Sequence, residues 1–185
     1  GWSRQDFAPV FQAQERWLGD DGDPGRGRDG PMLISPNREI VALTRKFVEA
    51  ARRAVLGEAD RYNGLAYPGA WHCALATRDG RRFSAYNAYL EPALRRSDLE
   101  VKTEANAARV VLDKGRATGL VARSGRAEQT FVGHHVVLAA GAFASPELLM
   151  LSGIGPAAAL QALGLPVHVD RPGVGQHLQD HPVLA

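Results

Sequence analysis

The chain has 185 residues, of which 45% are apolar and 23% charged, a composition that supports a packed core in an ordinary globular protein. A net charge of +2, with Arg81-Arg82 and Arg95-Arg96 as isolated pairs, gives no basic stripe and excludes nucleic acid as the organising partner. The single cysteine, Cys73, excludes an internal disulfide and suits a reducing, cytoplasmic setting, and no apolar stretch is long enough to cross a bilayer or reads as a signal peptide.

Phe7, Val10, Phe11 and Trp17 are spaced for one face of a helix over 2–17. A polar, glycine-rich loop follows over 19–31. Its Gly25, Gly27 and Gly30 form a G-x-G-x-x-G, but no strand precedes them, Pro24 and Pro31 bracket them, and no apolar helix begins at the third glycine. The spacing is therefore that of a loop and not of a dinucleotide fingerprint, and the neighbouring Asp20-Asp21 pair is solvated. Residues 40–56 predict an amphipathic helix with Leu43, Phe47, Ala50, Ala51 and Ala54 on its apolar face and Gly57 as its stop. A turn-rich connection through Asn63-Gly64 and Pro68-Gly69 leads to a second short helix within 83–94, starting near Ser84.

From Leu99 the period changes to two. Leu99, Val101 and Thr103 alternate with charged residues as a half-buried strand does, and 110–112, 120–122 and 130–132 predict further strands. Asp113-Lys114-Gly115 and Ser124-Gly125 between them are hairpin turns. This antiparallel group feeds an uncharged apolar run at 135–139, suited to a strand covered on both faces. Residues 140–144 then carry almost no side-chain volume except at Phe143, which leaves the backbone approachable. Ser145, Pro146 and Glu147 follow as hydroxyl N-cap, first-turn proline and first-turn acid, and Gly153 stops the helix. Strand, small-residue turn and helix N-terminus together collect anionic ligands, although tight strand–helix packing accounts for the same residues. A helix over 157–163 closed by Gly164, then a short strand over 165–169, complete the series.

Residues 141–155 resemble the second signature of the glucose–methanol–choline (GMC) flavoprotein oxidoreductases, choline and alcohol dehydrogenase-like enzymes. Gly141, Ala142, Ser145, Pro146, Leu148, Leu149, Ser152, Gly153, Ile154 and Gly155 satisfy every constrained position of it. The likeness runs along the chain in family order. It takes in the Trp-containing helix ending in Glu15, the "GRDGPMLIS" strand, and Gly80, Arg82, Ser84, Tyr89 and Leu90 of the G-x-R-x-S segment. "SDLEVKTEANAARVVL" is similar to the family's Asn-Leu-x-Val strand, and "GVGQHLQDHP" to its Gly-Val-Gly-x-Asn-Leu-Gln-Asp-His, with His177 at the usual Asn.

The resemblance implies a mixed α/β chain: part of an FAD-binding Rossmann-like domain with an antiparallel meander, plus part of a substrate domain. It places substrate-side material at 1–80, flavin-domain material at 81–165, and a connection back toward the substrate domain at 166–185. It implies FAD as cofactor and a small-molecule alcohol as substrate, with dehydrogenase and oxidase equally open. Ala140 and Gly141 fall where the sheet meets the flavin nucleotide, Ala107 where backbone contacts the adenine, and Ser145 serves as N-cap or as ligand. The family's opening glycine fingerprint and its catalytic histidine find no match here, so the chain reads as the middle of a longer enzyme, with surfaces meant for the missing parts. A non-catalytic interaction module of the same fold is the alternative.

Rival chemistries lack their residues. His177 and His181 share a helix-like spacing, but Leu178 replaces the Glu of a metalloprotease motif and no third ligand accompanies them. No serine sits in a G-x-S-x-G elbow. No catalytic acid, base or metal ligand is assigned within the chain.

Overall fold

The computed structural model describes residues 1–20, 25–56 and 70–181. Gly57, Asp21, Pro24 and the turns at Asn63-Gly64 and Pro68-Gly69 lie outside the described residues. The chain is a mixed α/β protein that divides into two compact units, Gly1–Glu100 and Val101–Ala185.

In the first unit, helix α1 (Arg4–Gln14) is set by its own N-terminus. Ser3 Oγ accepts from the Asp6 amide, while the Ser3 amide donates to the Asp6 carboxylate at 3.0 Å, a reciprocal capping box. The Ser3 hydrogen bonds hold the Asp6 carboxyl below the usual aspartate range. Trp2 stacks on Phe7 across this cap, ring centroids 5.1 Å apart, as a hydrophobic staple. The helix ends at Gln14, short of the expected Trp17. Glu15–Trp17 instead forms strand β1, parallel to β2 (Met32–Ile34), with Glu15 opposite Met32 and Trp17 opposite Ile34.

The glycine-rich loop explains the early stop. The Trp17 amide donates to the Gly27 carbonyl and the Gly30 amide to the Glu15 carbonyl, both at 2.9 Å. A Cβ at Gly27 would run into the Gln12 carbonyl, and one at Gly30 into the Gln14 backbone. These glycines therefore let two backbones meet. A short strand does precede the loop, contrary to expectation, but strand β2 and not a helix follows Gly30. Arg26, with its side chain only 2% exposed, reaches Glu15 Oε1 at 2.8 Å and lies 4.0 Å from the Trp17 ring centroid.

Helix α2 (Ala42–Ala51) continues as a π-helical turn, Arg52–Leu56. Its length matches the periodicity, but its orientation does not. Val48 is the buried residue, and Leu43 and Phe47, expected to face a core, are 79% and 72% exposed. Amphipathicity defines a stripe without supplying what covers it. The hairpin of β3 (Thr77–Arg78) and β4 (Arg81–Arg82) turns through Asp79 and Gly80, both at positive φ, as a type I′ turn requires. The helix expected near Ser84 follows. Ser84 donates through both its amide and its hydroxyl to Asn87 Oδ1, and a π-helical turn (Tyr86–Leu90) runs into α3 (Glu91–Ala93).

No strand forms at 99–103, where alternation predicted one; the residues are exposed and the ladder of the second unit begins later. Strands β5 (Asn106–Asp113), β6 (Arg116–Ser124) and β7 (Ala127–Val132) form the expected antiparallel meander. Lys114 and Gly115 both take positive φ in the first hairpin, and Gly125 takes the first loop position of the second. Beyond β7 the apolar run 135–139 joins no ladder, and Val137 is 84% exposed. A strand buried on both faces needs neighbours on both edges and both faces, and among the described residues none flanks it. Helix α4 (Gly141–Leu151), the short parallel pair β8 (Ile154–Gly155) and β9 (Val169–Asp170), and α5 (Ala157–Ala162) complete the unit. Leu148 of α4 and Leu160 of α5 join Val110, Val121 and Ala122 of the meander in its core. The strand expected over 165–169 pairs only at its end, in β9.

Two predictions follow from these local devices. Glu15→Ala leaves the buried Arg26 guanidinium without its carboxylate and lowers stability by about 3–5 kcal/mol, read by chemical denaturation. His177 has φ +57°, a backbone that Asn and His tolerate better than most side chains. His177→Asn preserves the melting temperature, whereas the β-branched His177→Val costs on the order of 1–2 kcal/mol.

Candidate functional site at the start of helix α4

Three of the four residues nominated by sequence, Ala140, Gly141 and Ser145, cluster where the run 135–139 enters α4. Gly141 takes φ +89°, and a Cβ there would meet nothing within 4 Å. Glycine adopts that backbone without strain, and the helix starts at Gly141 with Ala140 as N-cap. Ser145 is therefore not the N-cap, nor Pro146 the first helical residue; both lie inside α4. From the second turn the Ser145 hydroxyl reaches back and accepts from the Ala140 amide at 3.0 Å. Pro146 offers no N–H to the Ala142 carbonyl one turn earlier. A sequence rule for caps was overridden by a glycine four residues upstream.

Ala140, Gly141, Ala142 and Phe143 are exposed, and the first turn of α4 carries no acidic side chain. The partial positive charge of the helix start is thus uncancelled, above small side chains that leave the backbone within reach. A nucleotide cofactor with a pyrophosphate and flat rings requires those two features, and the residues present fit it. Ala107 stands apart from this cluster. It is exposed on β5 opposite Ala122, immediately before an irregularity in the β5–β6 register.

The residue that links these places, Ser152, is a matched position of the signature to which the sequence assigned no role of its own. Ser152, at the C-terminus of α4, is 5% exposed. Its hydroxyl donates to the Leu148 carbonyl at 2.6 Å and accepts from the Val110 amide of β5 at 2.7 Å. The available signal was a lone hydroxyl flanked by Leu151 and Gly153 at a helix end, where burial demands partners.

The other polar residues do not assemble. His177 and His181 lie on no helix, so their spacing does not bring them to one side, and the His181 amide bonds to Asp180 Oδ1. Among the described residues, no group of three His, Cys, Asp or Glu is placed to hold a metal ion. An open cleft of about 370 Å³ at one end of the meander is lined by Arg116, Thr118, Val132, Gly133 and His134, with Arg116 donating to the His134 carbonyl. Among the described residues, no helix is long and apolar enough to cross a membrane.

Comparison with known proteins places the whole chain among relatives. The chain is 44% identical over 182 residues to the oxygen-dependent choline dehydrogenase of Sinorhizobium fredii and 43% identical over 183 residues to that of Rhizobium meliloti. Each alignment covers 98% of this chain and 33% of the relative, so the chain spans about a third of the curated relatives' length. The crystal structure of pyridoxine 4-oxidase from Mesorbium loti superposes with a TM-score of 0.83 at 35% identity, over 92% of this chain and 34% of that one. An FAD-dependent oxidoreductase from Chaetomium thermophilum shares the fold, with a TM-score of 0.84 at 23% identity over 94% of this chain and 32% of that one. Residues 1–183 match the family model of the GMC oxidoreductases, and the chain belongs to that family.

Proposed function

We propose that this chain is a segment of an FAD-dependent oxidoreductase that oxidises a small alcohol at its CH–OH group. The observation that carries the reading is the turn into α4 within a GMC family member. There an exposed Ala140-Gly141 backbone, with open space at the Gly141 Cβ position, begins a helix free of first-turn acids. Bound FAD supplies the hydride-accepting ring system. This chain's own part is binding: Ala140 and Gly141 backbone against the flavin nucleotide, Ala107 backbone toward the adenine, and Ser145 holding Ala140 in place. The group that takes the hydroxyl proton is assigned to no residue of this chain.

The division of roles is substrate-side material at 1–80, flavin-side material at 81–165 and a returning connection at 166–185; it runs across the compact-unit boundary at Glu100. The names of the Sinorhizobium and Rhizobium relatives make choline the first alcohol to try. The free, exposed Cys73 is in keeping with a reducing, cytoplasmic location.

The test is a visible absorption spectrum of the natural polypeptide that carries this chain, after FAD loading and removal of free cofactor. Flavin bands at near-equal stoichiometry, bleached by an alcohol, are expected. A colourless, folded protein favours the non-catalytic module instead. Gly141→Ala adds no clash and costs on the order of 1–2 kcal/mol through its positive φ. Because it narrows the approach to the backbone, it is expected to weaken flavin retention about tenfold while the protein remains folded, as measured by flavin fluorescence titration.

A further inference from the structure

Resting on the flavin reading above, we infer that Ser152 is a positioning residue: its buried hydroxyl fixes the spacing between the Ala107 strand and the Ala140-Gly141 turn that a single dinucleotide must satisfy. A serine hydroxyl has one proton to donate and lone pairs to accept with. Ser152 gives its proton to the Leu148 carbonyl, one turn back in its own helix, which anchors the oxygen to α4. The oxygen then accepts the Val110 amide. This second bond does nothing for the helix. It ties α4 to another element.

The strand end of the tie is well chosen mechanically. β5 is an edge strand of the meander, so amides on its free side have no strand to pair with. Val110 is only 6% exposed, and without Ser152 its amide would be buried with no acceptor. The β5–β6 register is irregular between Ala107 and Arg109, so pairing with β6 constrains Ala107 less than a regular ladder does. Val110 is the pinned amide just past that irregularity. At the other end of the tie, α4 runs as one rigid rod of about 16 Å from Ser152 to Gly141. Ser152 is thus the fixed point from which both nominated contact places are measured, and it touches neither.

The test uses the natural polypeptide loaded with FAD. Ser152→Ala is expected to raise the FAD dissociation constant about tenfold and to speed hydrogen exchange at the Val110 amide, while Ser152→Thr, which keeps the hydroxyl, recovers both. Leu160→Val supplies the comparison, because it loosens the same core without touching the tie. If Leu160→Val weakens FAD binding as much as Ser152→Ala at an equal loss of melting temperature, Ser152 is merely structural and the inference is overturned. It is also overturned if Ser152→Ala binds FAD like the wild type. Should the alanine variant not fold, Ser152→Cys, a weaker donor and acceptor, is expected to give an intermediate affinity, and wild-type affinity there counts against the tie. A wild-type polypeptide that takes up no flavin defeats the functional reading itself, and this inference with it.

Discussion

One buried hydroxyl organises the second unit. Leu148 of α4, Leu160 of α5 and Val110, Val121 and Ala122 of the meander are buried in this unit, by an attraction that has no direction of its own. Hydrophobic contact would tolerate α4 at several positions along β5. The bond from the Val110 amide to an oxygen anchored on Leu148 selects one, because sliding by even a residue leaves that buried amide unsatisfied. Gly153, at φ +76° and tight against His168 and the Pro166 carbonyl, then turns the chain into the β8–β9 pair. The stretch that matches the family's signature is in this light a folding device. Its first half keeps the backbone approachable, and its second half locks the helix in register.

The first unit is organised by glycine in a different sense. Gly27 and Gly30 are valuable because they lack a side chain where the backbones of Gln12, Gln14 and Glu15 come closest. That approach ends α1, starts β1 and brings Arg26 between Glu15 and Trp17. A guanidinium so buried is tolerable only with a carboxylate in reach, and Glu15 also accepts from the Gly27 amide at 2.9 Å. Glu15, just past the end of α1, is thus tied to the glycine-rich loop.

Much apolar surface is left uncovered: Leu43 and Phe47 on α2, Val132 and Val137 around the unpaired run, and Phe143 at the start of α4. Patches of this kind mark places where further protein or a ligand packs. They accord with a chain that matches about a third of the length of its relatives, and with a flavin-side role for the turn at Ala140.

Where local rules were sufficient, the sequence determined the outcome. The three-stranded meander and its glycine turns, the helices at 42–56, 85–93 and 157–162, and the family signature were all legible, because each rests on contacts within a few residues. The capping box of Ser3 and Asp6 and the Asp79-Gly80 hairpin were equally local and went unread, although the residues announce them. Tertiary structure decided the rest. It moved the start of α4 from Ser145 to Gly141, ended α1 before Trp17, turned Leu43 and Phe47 outward, and left 99–103 and 135–139 outside any ladder. Except at the start of α4, where Gly141 lies only four residues upstream of Ser145, the deciding partner is distant in sequence or absent from the described residues. A hydrophobic period names a face, but only a packed neighbour makes that face an interior. Ser152 is the sharpest instance: sequence shows a serine in a signature, and only the strand lying 2.7 Å from its oxygen makes it the pin of the unit.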